Sequence, residues 1–579
     1  MDRSIPDLSD PALSIWTLSW GAHALLSQPL HLFDANIFWP HPLTWAYTDN
    51  LLVLVVPFAL VRLFGGSWAL ALNFTTLLVL TLSQAFTYLL AYWLTHRRDA
   101  AVLAAIAFTF SSFLFAHLVH VQLLLYGLFP LCFYLLFRML EERRLRWAAL
   151  LGAANVATLT GSLYYAAIYV VVLIAISALW LVHHRRELTR EVLLCFLIVG
   201  AVTALAIPTL LPYQQLQQER PLIPQHGLKA ADLVTVSPGS VLYPGLDHAA
   251  NTRGSAGGRT EHTFFPGFSV ALLALIGLAA LVLRGRRSHA APRRRGRSRA
   301  EAAPIGRDRD ASWSVDDPIV SGRREYVWLL VVGAAVAMLL ALGPEIHGVT
   351  MPFTFFHDHV PGFEDIRVAS RLEIPALLTG AVLAAIGFSW LTRRLPARTA
   401  TLVAVVLGAF MLLEFAAPTH TTELPTGPAT LAVYRELAHR PPGAVVELPA
   451  PNPQLVLDGT PAEPFVEAPR MVYGTLDWHP RFNGYSGNFP ADYFANGDAL
   501  NSFPSRAALD TARRLQLRYV ILHTGTLHFV VYTGTYSRFS YPQYTDAQAQ
   551  AIVAHLPSGA TARRYGNSWL IDLGARSRS

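Results

Sequence analysis

The chain has 579 residues, of which 53% are hydrophobic and 14% are charged, and its formal net charge is +7. Soluble globular domains contain about 25% charged residues, so the composition excludes an ordinary soluble protein. Apolar runs of about 18 residues or more recur, and each can cross a bilayer as a helix. The basic residues cluster between these runs, which is typical of membrane topology and does not indicate binding to nucleic acid.

The first 50 residues are polar and rich in proline. Residues 7–50 contain four aspartates, three histidines and four tryptophans. The next run, residues 51–64, is apolar but short, contains Pro57 and is followed by two glycines. Its length predicts an interfacial or re-entrant helix and not a full span. Residues 1–66 are therefore predicted to form an acidic extracytoplasmic loop with juxtamembrane helices.

A membrane domain is predicted over residues 67–420. Both cysteines lie inside its apolar runs, so no disulfide framework is expected. Residues 284–322 form an arginine-rich tract that cannot bury a core and is predicted to be disordered. The predicted spans are residues 68–94, 100–116, 123–140, 147–160, 164–182, 191–211, 264–283, 326–342, 374–391 and 401–417.

The loops between these spans alternate in their arginine content. One set carries the arginines of residues 97–98, 143–146, 185–190, 284–309 and 393–398. The positive-inside rule makes this set cytoplasmic and makes the other loops extracytoplasmic, together with everything after residue 418. The pattern thus predicts a multi-pass protein of the plasma (inner) membrane.

The predicted position of the opening segment raises a difficulty. If residues 51–64 do not cross, the chain starts outside the cytoplasm with no membrane helix ahead of Asp7. One interpretation is that a first helix has been lost, in which case the chain could be inactive. The other is that residues 51–64 cross and that the start is cytoplasmic.

Residues 421–579 change character, because short apolar strands alternate there with helices. Helices are predicted at 431–439, 505–515 and 546–556, and strands at 444–448, 519–523 and 568–572. This alternation predicts a soluble α/β domain. Residues 477–494 are rich in aromatic and polar side chains. They form either a sugar-binding surface or a loop that packs against the membrane domain.

The arrangement as a whole resembles the GT-C superfamily of membrane glycosyltransferases. The segment Val360–Phe363, followed by Arg367 and Arg371, also resembles a bacterial subgroup with C-terminal soluble domains. The resemblance implies an acidic catalytic loop, a sugar donor linked to polyprenyl phosphate, and a glycan, lipid or protein acceptor. In the opening segment it rests on Ser9 to Pro11, Trp16 to His23, Leu32 to Pro42 and Tyr47 to Asp49.

Asp10 is the candidate catalytic base, because it matches the position of the superfamily's acidic residue. A carboxylate at an apolar boundary suits this role, since desolvation raises its pKa. Asp10 could equally cap a helix that starts near Pro11. Asp34 and Asp49 are further catalytic candidates, for acceptor binding or for a divalent cation, or else turn and cap residues. The sequence leaves the cofactor open.

Two groups of residues are candidates for binding the substrate's phosphate. His117, His120 and Gln122 form a polar corner between two spans, where histidines could bind phosphate or metal or be ordinary interfacial residues. Arg367 and Arg371 precede a span on the side where arginine is disfavoured, and guanidinium groups suit phosphate.

The local sequence also offers these arginines structural partners. Glu364, Asp365 or Glu373 could pair with either of them. Glu261, at the mouth of another span, could line the same cavity and bind substrate.

Two classes of function remain open at this point. The first is a glycosyltransferase. The second is a non-enzymatic membrane protein on a GT-C-like scaffold, either a transporter of lipid-linked saccharides or an envelope assembly factor. A transporter of this kind would show internal pseudo-symmetry, and the sequence has no clear repeat. Charged residues are scarce within the spans, which argues against a proton-coupled pump.

Overall fold

The computed structural model describes residues 2–219, 227–246, 261–290, 319–320, 322–360, 363, 366, 368–450, 456–457, 460–532 and 536–574. Most of the tract predicted to be disordered lies outside these residues, and so does Arg367. The helices are, in chain order, α1 (Asp10–Ser27), α2 (Leu52–Leu63), α3 (Trp68–Thr95), α4 (Arg98–Thr109), α5 (Ser112–Ala116), α6 (Val121–Leu124), α7 (Leu128–Glu142), α8 (Leu145–Leu159), α9 (Leu163–His183), α10 (Arg190–Thr203), α11 (Ile207–Glu219), α12 (Phe268–Ala290), α13 (Arg324–Ala341), α14 (Pro352–His359), α15 (Ile374–Thr392), α16 (Ala397–Phe415), α17 (Pro428–Leu437), α18 (Glu463–Tyr473), α19 (Tyr493–Asn501), α20 (Arg506–Arg514) and α21 (Asp546–Ala554).

The strands are shorter and lie mainly after the last membrane helix. They are β1 (Ser4–Ile5), β2 (Glu345–Ile346), β3 (Val349–Thr350), β4 (Thr422–Glu423), β5 (Ala444–Leu448), β6 (Val456–Leu457), β7 (Thr460–Pro461), β8 (Leu517–His523), β9 (Thr526–Tyr532), β10 (Tyr536–Pro542), β11 (Thr561–Tyr565) and β12 (Ser568–Asp572).

Eight helical stretches in the described part of the chain are long and apolar enough to cross a membrane. The protein is therefore a polytopic helical membrane protein, as predicted. Two of the ten predicted spans, residues 147–160 and 264–283, correspond instead to the shorter apolar helices Leu145–Leu159 and Phe268–Leu283. The first rises about 22 Å at 1.5 Å per residue, whereas the helix that contains the second continues to Ala290. The helix α2 has only 12 residues, in line with the prediction of a non-spanning segment.

Small residues allow the membrane helices to approach closely. α12 packs along α15, and a Cβ atom on Gly277 would overlap the carbonyl oxygen of Leu383. Gly387 faces the carbonyl oxygen of Leu273 in the same way. Glycine is required at these two positions because the backbones themselves are in contact, an arrangement that is common between membrane helices.

The opening segment packs against the rest of the protein through buried residues on both sides of a mostly exposed stretch at residues 25–31. The N-cap of α1 is Ser9, one position before Asp10, which the sequence offered as the cap and which is instead the first helical residue. Trp16 is fully buried, and its indole Nε1 donates to Oδ1 of Asn36 at 3.0 Å. The indole of Trp20 donates to the carbonyl of Leu32 at 2.9 Å. These bonds tie the extended residues 32–36 to the side of α1.

The C-terminal domain contains a four-stranded sheet in the order β11-β12-β8-β5. β5 and β8 are parallel, whereas the other two pairs are antiparallel. The predicted helices and strands of this region are all present, with ends shifted by up to three residues. Ser505 caps α20 by accepting a hydrogen bond from the backbone of Ala508 at 3.2 Å.

The opening segment packs directly against the C-terminal domain. The backbone N–H of Trp39 donates to the carbonyl of Arg481 at 2.8 Å, and that of Arg481 donates to Asn36 at 2.9 Å. The indole of Trp39 donates to the carbonyl of Leu515 at 2.8 Å. β1 pairs with β4, which lies just after the last membrane helix. The two ends of the chain therefore form one surface above the membrane helices.

Candidate active site

A polar cavity of about 260 Å³ lies where seven parts of the chain meet. These parts are the start of α1, residues 46–49, the corner at the start of α6, the start of α9, α11, residues 368–371 before α15 and residues 485–488 of the C-terminal domain. Five of the residues predicted from the sequence line this cavity, namely Asp10, Asp49, His120, Gln122 and Arg371.

Asp10 is oriented by two hydrogen-bonding partners. Its Oδ2 lies 3.0 Å from Nε2 of His120, and its Oδ1 accepts a hydrogen bond from the hydroxyl of Tyr485 at 3.0 Å. Burial opposes ionisation, but the hydrogen bond and positive charge of His120 outweigh it, so the pKa of Asp10 lies below its ordinary value. Burial also disfavours the imidazolium of His120, yet the contact with Asp10 raises the pKa of His120. The contact therefore favours a carboxylate on Asp10 and an imidazolium on His120.

Arg371 lines the same cavity and is held in place by Glu261. Nε of Arg371 donates to Oε2 of Glu261 at 2.7 Å, and Nη2 donates to Oε1. Burial opposes the charge of Glu261, but the guanidinium of Arg371 holds the pKa of Glu261 well below its ordinary range. Nε2 of His117 lies 3.4 Å from Oε2 of Glu261, and the guanidinium carbon of Arg371 lies 5.0 Å from the centre of the Tyr164 ring.

The predicted binding residues fall into two groups, those that line the cavity and those that only hold Arg371 in place. Glu261 contacts Arg371, and His117 contacts Glu261, but neither residue lines the cavity. Arg371 pairs with Glu261 and not with Glu373, one of the three acidic residues that the local sequence suggested. The other two, Glu364 and Asp365, lie outside the described residues.

Asp49 is also bound at the cavity wall, at the start of α9. Its Oδ1 accepts a hydrogen bond from the backbone N–H of Leu163 at 2.9 Å, and its Oδ2 lies 3.4 Å from the hydroxyl of Ser162. Burial raises the pKa of Asp49 to about 6, although these two donors oppose the shift. Asp49 therefore caps a helix and, at the same time, presents a carboxylate that titrates near neutral pH.

Asp34 lies away from the cavity. Its Oδ1 accepts a hydrogen bond from the backbone of Leu43 at 3.0 Å, and its Oδ2 lies 3.3 Å from Nδ1 of His31. These contacts are those of a turn residue, which was the alternative interpretation from the sequence. Among the residues that the structure describes, no three His, Cys, Asp or Glu side chains are grouped to hold a metal ion.

Tyr485 contacts Asp10, but the sequence did not single it out as a site residue. It lies within residues 477–494, for which the sequence suggested either packing or sugar binding. Trp478 of this segment stacks on His23 at 4.0 Å, whereas Tyr485, Gly487 and Asn488 line the cavity. The segment thus packs against the opening segment and also forms a wall of the site. The richness of residues 477–494 in aromatic and amide side chains was the only feature of the sequence that pointed to a role for this segment in the site.

An apolar cleft adjoins the polar cavity. It has a volume of about 330 Å³, lies between α9 and α11, and shares Leu163 and Tyr213 with the cavity. A second apolar groove, of about 530 Å³, lies between α1 and α2 at the far end of α1 from Asp10. The first cleft gives an apolar molecule from the bilayer a place beside the polar side chains.

By sequence, no protein-family model and no curated protein matches the chain. Several solved structures match it by fold. Arabinofuranosyltransferase AftD from Mycobacteria matches with a TM-score of 0.52 and 13% identity, over 98% of this chain and 40% of AftD. A mutant form of AftD matches with a TM-score of 0.54 and 15% identity, over 100% of this chain and 40% of AftD.

A third match is the oligosaccharyltransferase AglB from Archaeoglobus fulgidus, solved with an inhibitory peptide and a dolichol-phosphate. Its TM-score is 0.43 at 11% identity, over 95% of this chain and 71% of AglB.

The chain spans about 40% of the length of AftD. Its helices and its C-terminal sheet define a polytopic membrane protein with an α/β domain at one membrane surface. The fold is GT-C-like, as the resemblance in the sequence predicted.

Proposed function

We propose that the protein is a membrane glycosyltransferase that transfers a sugar from a polyprenyl-phosphate donor to an acceptor outside the cytoplasm. One observation carries the proposal: Asp10 and Arg371 line the same polar cavity, which shares walls with an apolar cleft between membrane helices. A lipid-linked sugar requires this combination, because one end of it is hydrocarbon and the other is anionic and hydroxylated. The mycobacterial enzyme that shares the fold is a glycosyltransferase.

The reaction needs one base and one cation in this cavity. The carboxylate of Asp10 takes the proton of the acceptor hydroxyl, whose oxygen forms a bond to the anomeric carbon. The bond between that carbon and the phosphate oxygen breaks, and polyprenyl phosphate leaves with the electron pair. A single displacement with inversion needs one general base and no second carboxylate nucleophile. Hydrogen bonds from His120 and Tyr485 keep Asp10 ionised, so its pKa is lowered and not raised as desolvation alone would predict.

Arg371 suits the leaving phosphate. Its guanidinium is fixed by Glu261 through Nε and Nη2, and its other N–H groups remain as donors. Guanidinium groups bind phosphate oxygens through paired, charge-assisted hydrogen bonds. Preorganised donors of this kind stabilise charge that develops in a transition state. Asp49 and Gln122 line the remaining wall and are available to bind acceptor hydroxyl groups.

The membrane topology supports an extracytoplasmic site. The apolar stretches Val121–Glu142, Leu163–His183 and Ala369–Thr392 begin beside the cavity, and each ends just before an arginine-bearing turn, at Arg143, Arg185 and Arg393 respectively. The positive-inside rule assigns those turns to the cytoplasm. The cavity and the C-terminal domain then lie on the outer side of the plasma (inner) membrane.

The test is sugar transfer by purified protein from a panel of radiolabelled polyprenyl-phosphate monosaccharides. Asp10→Asn should lower the rate by about 100-fold or more, the range in which general bases contribute. Asp510→Asn, which changes an exposed carboxylate of the C-terminal domain, should leave the rate unchanged. Normal transfer by Asp10→Asn would refute the role of Asp10. Binding of the donors by the wild type without transfer would favour a transporter.

A further inference from the structure

The C-terminal domain reaches into the cavity through four consecutive residues, Tyr485 to Asn488. The hydroxyl of Tyr485 donates to Oδ1 of Asp10 at 3.0 Å. The hydroxyl of Ser486 donates to the carbonyl of Tyr47, in the opening segment, at 2.7 Å. Gly487 and Asn488 line the cavity directly. The segment therefore contacts the candidate base and the wall beside Asp49.

The segment is fixed to the core of its own domain. The amide of Asn483 accepts a hydrogen bond from the backbone of Glu447 at 2.7 Å and donates to the carbonyl of Glu447 at 3.0 Å, which anchors it to β5. The hydroxyl of Tyr493 accepts from the N–H of Gly484 at 3.2 Å and donates to its carbonyl at 3.1 Å. A Cβ atom on Gly484 would lie 2.9 Å from the ring of Phe38, so the backbone approaches the opening segment closely.

We propose that the active site is shared between the membrane domain and the C-terminal domain, with Tyr485 as a positioning residue for Asp10 and Asn488 as a ligand of a hydroxyl-bearing acceptor. This inference rests on the proposed function and deepens it. It assigns the acceptor to the face of the cavity that the C-terminal domain forms, and the lipid chain of the donor to the apolar cleft between α9 and α11.

The geometry gives Tyr485 a specific task. His120 contacts one oxygen of Asp10 and Tyr485 donates to the other, so the plane of the carboxylate is fixed by two partners from different parts of the chain. Each carboxylate oxygen keeps a further lone pair that can accept the proton of an acceptor hydroxyl. Without Tyr485, one oxygen would lose its fixed partner and the carboxylate could rotate away from the acceptor.

Asn488 has the chemistry of a sugar ligand. A carboxamide offers two donors and one acceptor group, which matches the paired hydroxyl groups of a glycan. Its side chain is half-buried at the cavity wall, three residues beyond Tyr485. An acceptor bound there would place a hydroxyl group near Asp10 without occupying the apolar cleft.

Tyr485→Phe tests the positioning role. The variant keeps the ring and removes only the hydroxyl, so the fold should be retained. We expect kcat to fall about ten-fold, the usual order for a hydrogen bond to a charged group, with the KM of the donor unchanged. The acidic limb of the pH–rate profile should move to higher pH, because the lost hydrogen bond stabilises the carboxylate. Tyr519→Phe, which removes a hydroxyl that donates to the carbonyl of Pro441 outside the cavity, should not move that limb.

Asn488→Ala tests the acceptor contact. We expect its acceptor KM to rise about ten-fold while the donor KM stays within two-fold of wild type, about the resolution of such assays. An unchanged pH profile in Tyr485→Phe together with an unchanged acceptor KM in Asn488→Ala would overturn the shared site. If these variants behave like wild type while Asp10→Asn is inactive, only this inference fails. If Asp10→Asn is active, the proposed function fails first.

Discussion

Arg371 and Glu261, which are 110 residues apart in the chain, form a paired contact in which Nε and Nη2 of the arginine donate to the two carboxylate oxygens. Their side chains are only 13% and 10% exposed. The pair joins the start of the membrane helix α15 to the loop that precedes α12. Its geometry explains how an arginine is kept at a membrane boundary and yet faces a cavity.

Removing one partner of this pair should destabilise the protein strongly. Glu261→Ala leaves a buried, uncompensated guanidinium, and we expect a loss of about 3–5 kcal/mol in the free energy of unfolding. The matched control is Glu187→Ala, because Glu187 pairs with Arg143 at 3.2 Å but is 61% exposed. That change should cost about 1 kcal/mol or less. Denaturant unfolding in detergent micelles measures both, and equal losses would contradict the structural role of Glu261.

The titration of Asp49 should appear in the pH dependence of the reaction. Its pKa is raised from 3.8 to about 6, so Asp49 is protonated below that pH and ionised above it. If its carboxylate binds the acceptor, kcat/KM of the wild type should fall as pH drops through about 6. Asp49→Asn should lack this limb, while the asparagine can still accept the hydrogen bond from Leu163. A limb near pH 6 that persists in Asp49→Asn would assign the titration to another group.

Glu463 should make the stability of the C-terminal domain pH-dependent. Burial, followed by the nearby charge of Glu467, raises the pKa of Glu463 from 4.5 to about 8. The folded protein thus keeps a proton that the unfolded chain releases above pH 4.5, and stability falls as pH rises from 4.5 to about 8. Glu463→Gln mimics the neutral acid, so its gain over wild type should grow across this window, by about 5 kcal/mol at most.

Unfolding of wild type and Glu463→Gln at pH 5 and pH 8 measures this difference. The exposed Glu423→Gln serves as a control and should show the same stability change with pH as wild type. Parallel curves for wild type and Glu463→Gln would show that Glu463 is ionised in the folded protein at both pH values.

The apolar cleft between α9 and α11 should recognise the polyprenyl chain. Ala167→Trp fills this cleft and should raise the KM for a long-chain donor about ten-fold or more, since each buried methylene contributes about 0.8 kcal/mol. A water-soluble donor with a short chain should be used as well by the variant as by wild type. Ala59→Trp fills the other groove, between α1 and α2, and should leave donor use unchanged. The reverse pattern would move the donor chain to that groove.

The sequence was a good guide where a local pattern has a physical cause. The strands β5, β8 and β12 follow from short apolar runs, and the cap at Ser505 follows from the preference of helix starts for serine. Arg371 was selected because arginine is disfavoured on the extracytoplasmic side of a span, and His120 because it lies in a polar corner between two spans. Asp10 was selected from the resemblance to the GT-C superfamily and not from a local pattern. The number of spans was less predictable, because a hydropathy window extends across the ends of short helices such as α8.

The sequence by itself determined that this is a multi-pass helical membrane protein with an α/β domain, because hydropathy and strand patterns are local properties of the chain. Only the tertiary structure decided which polar residues meet. Tyr485 contacts Asp10 across 475 positions, and Glu261 rather than the neighbouring Glu373 pairs with Arg371. No local pattern specifies such contacts, because they depend on how α1, the 3-10 turn before α15 and the C-terminal domain pack around one cavity.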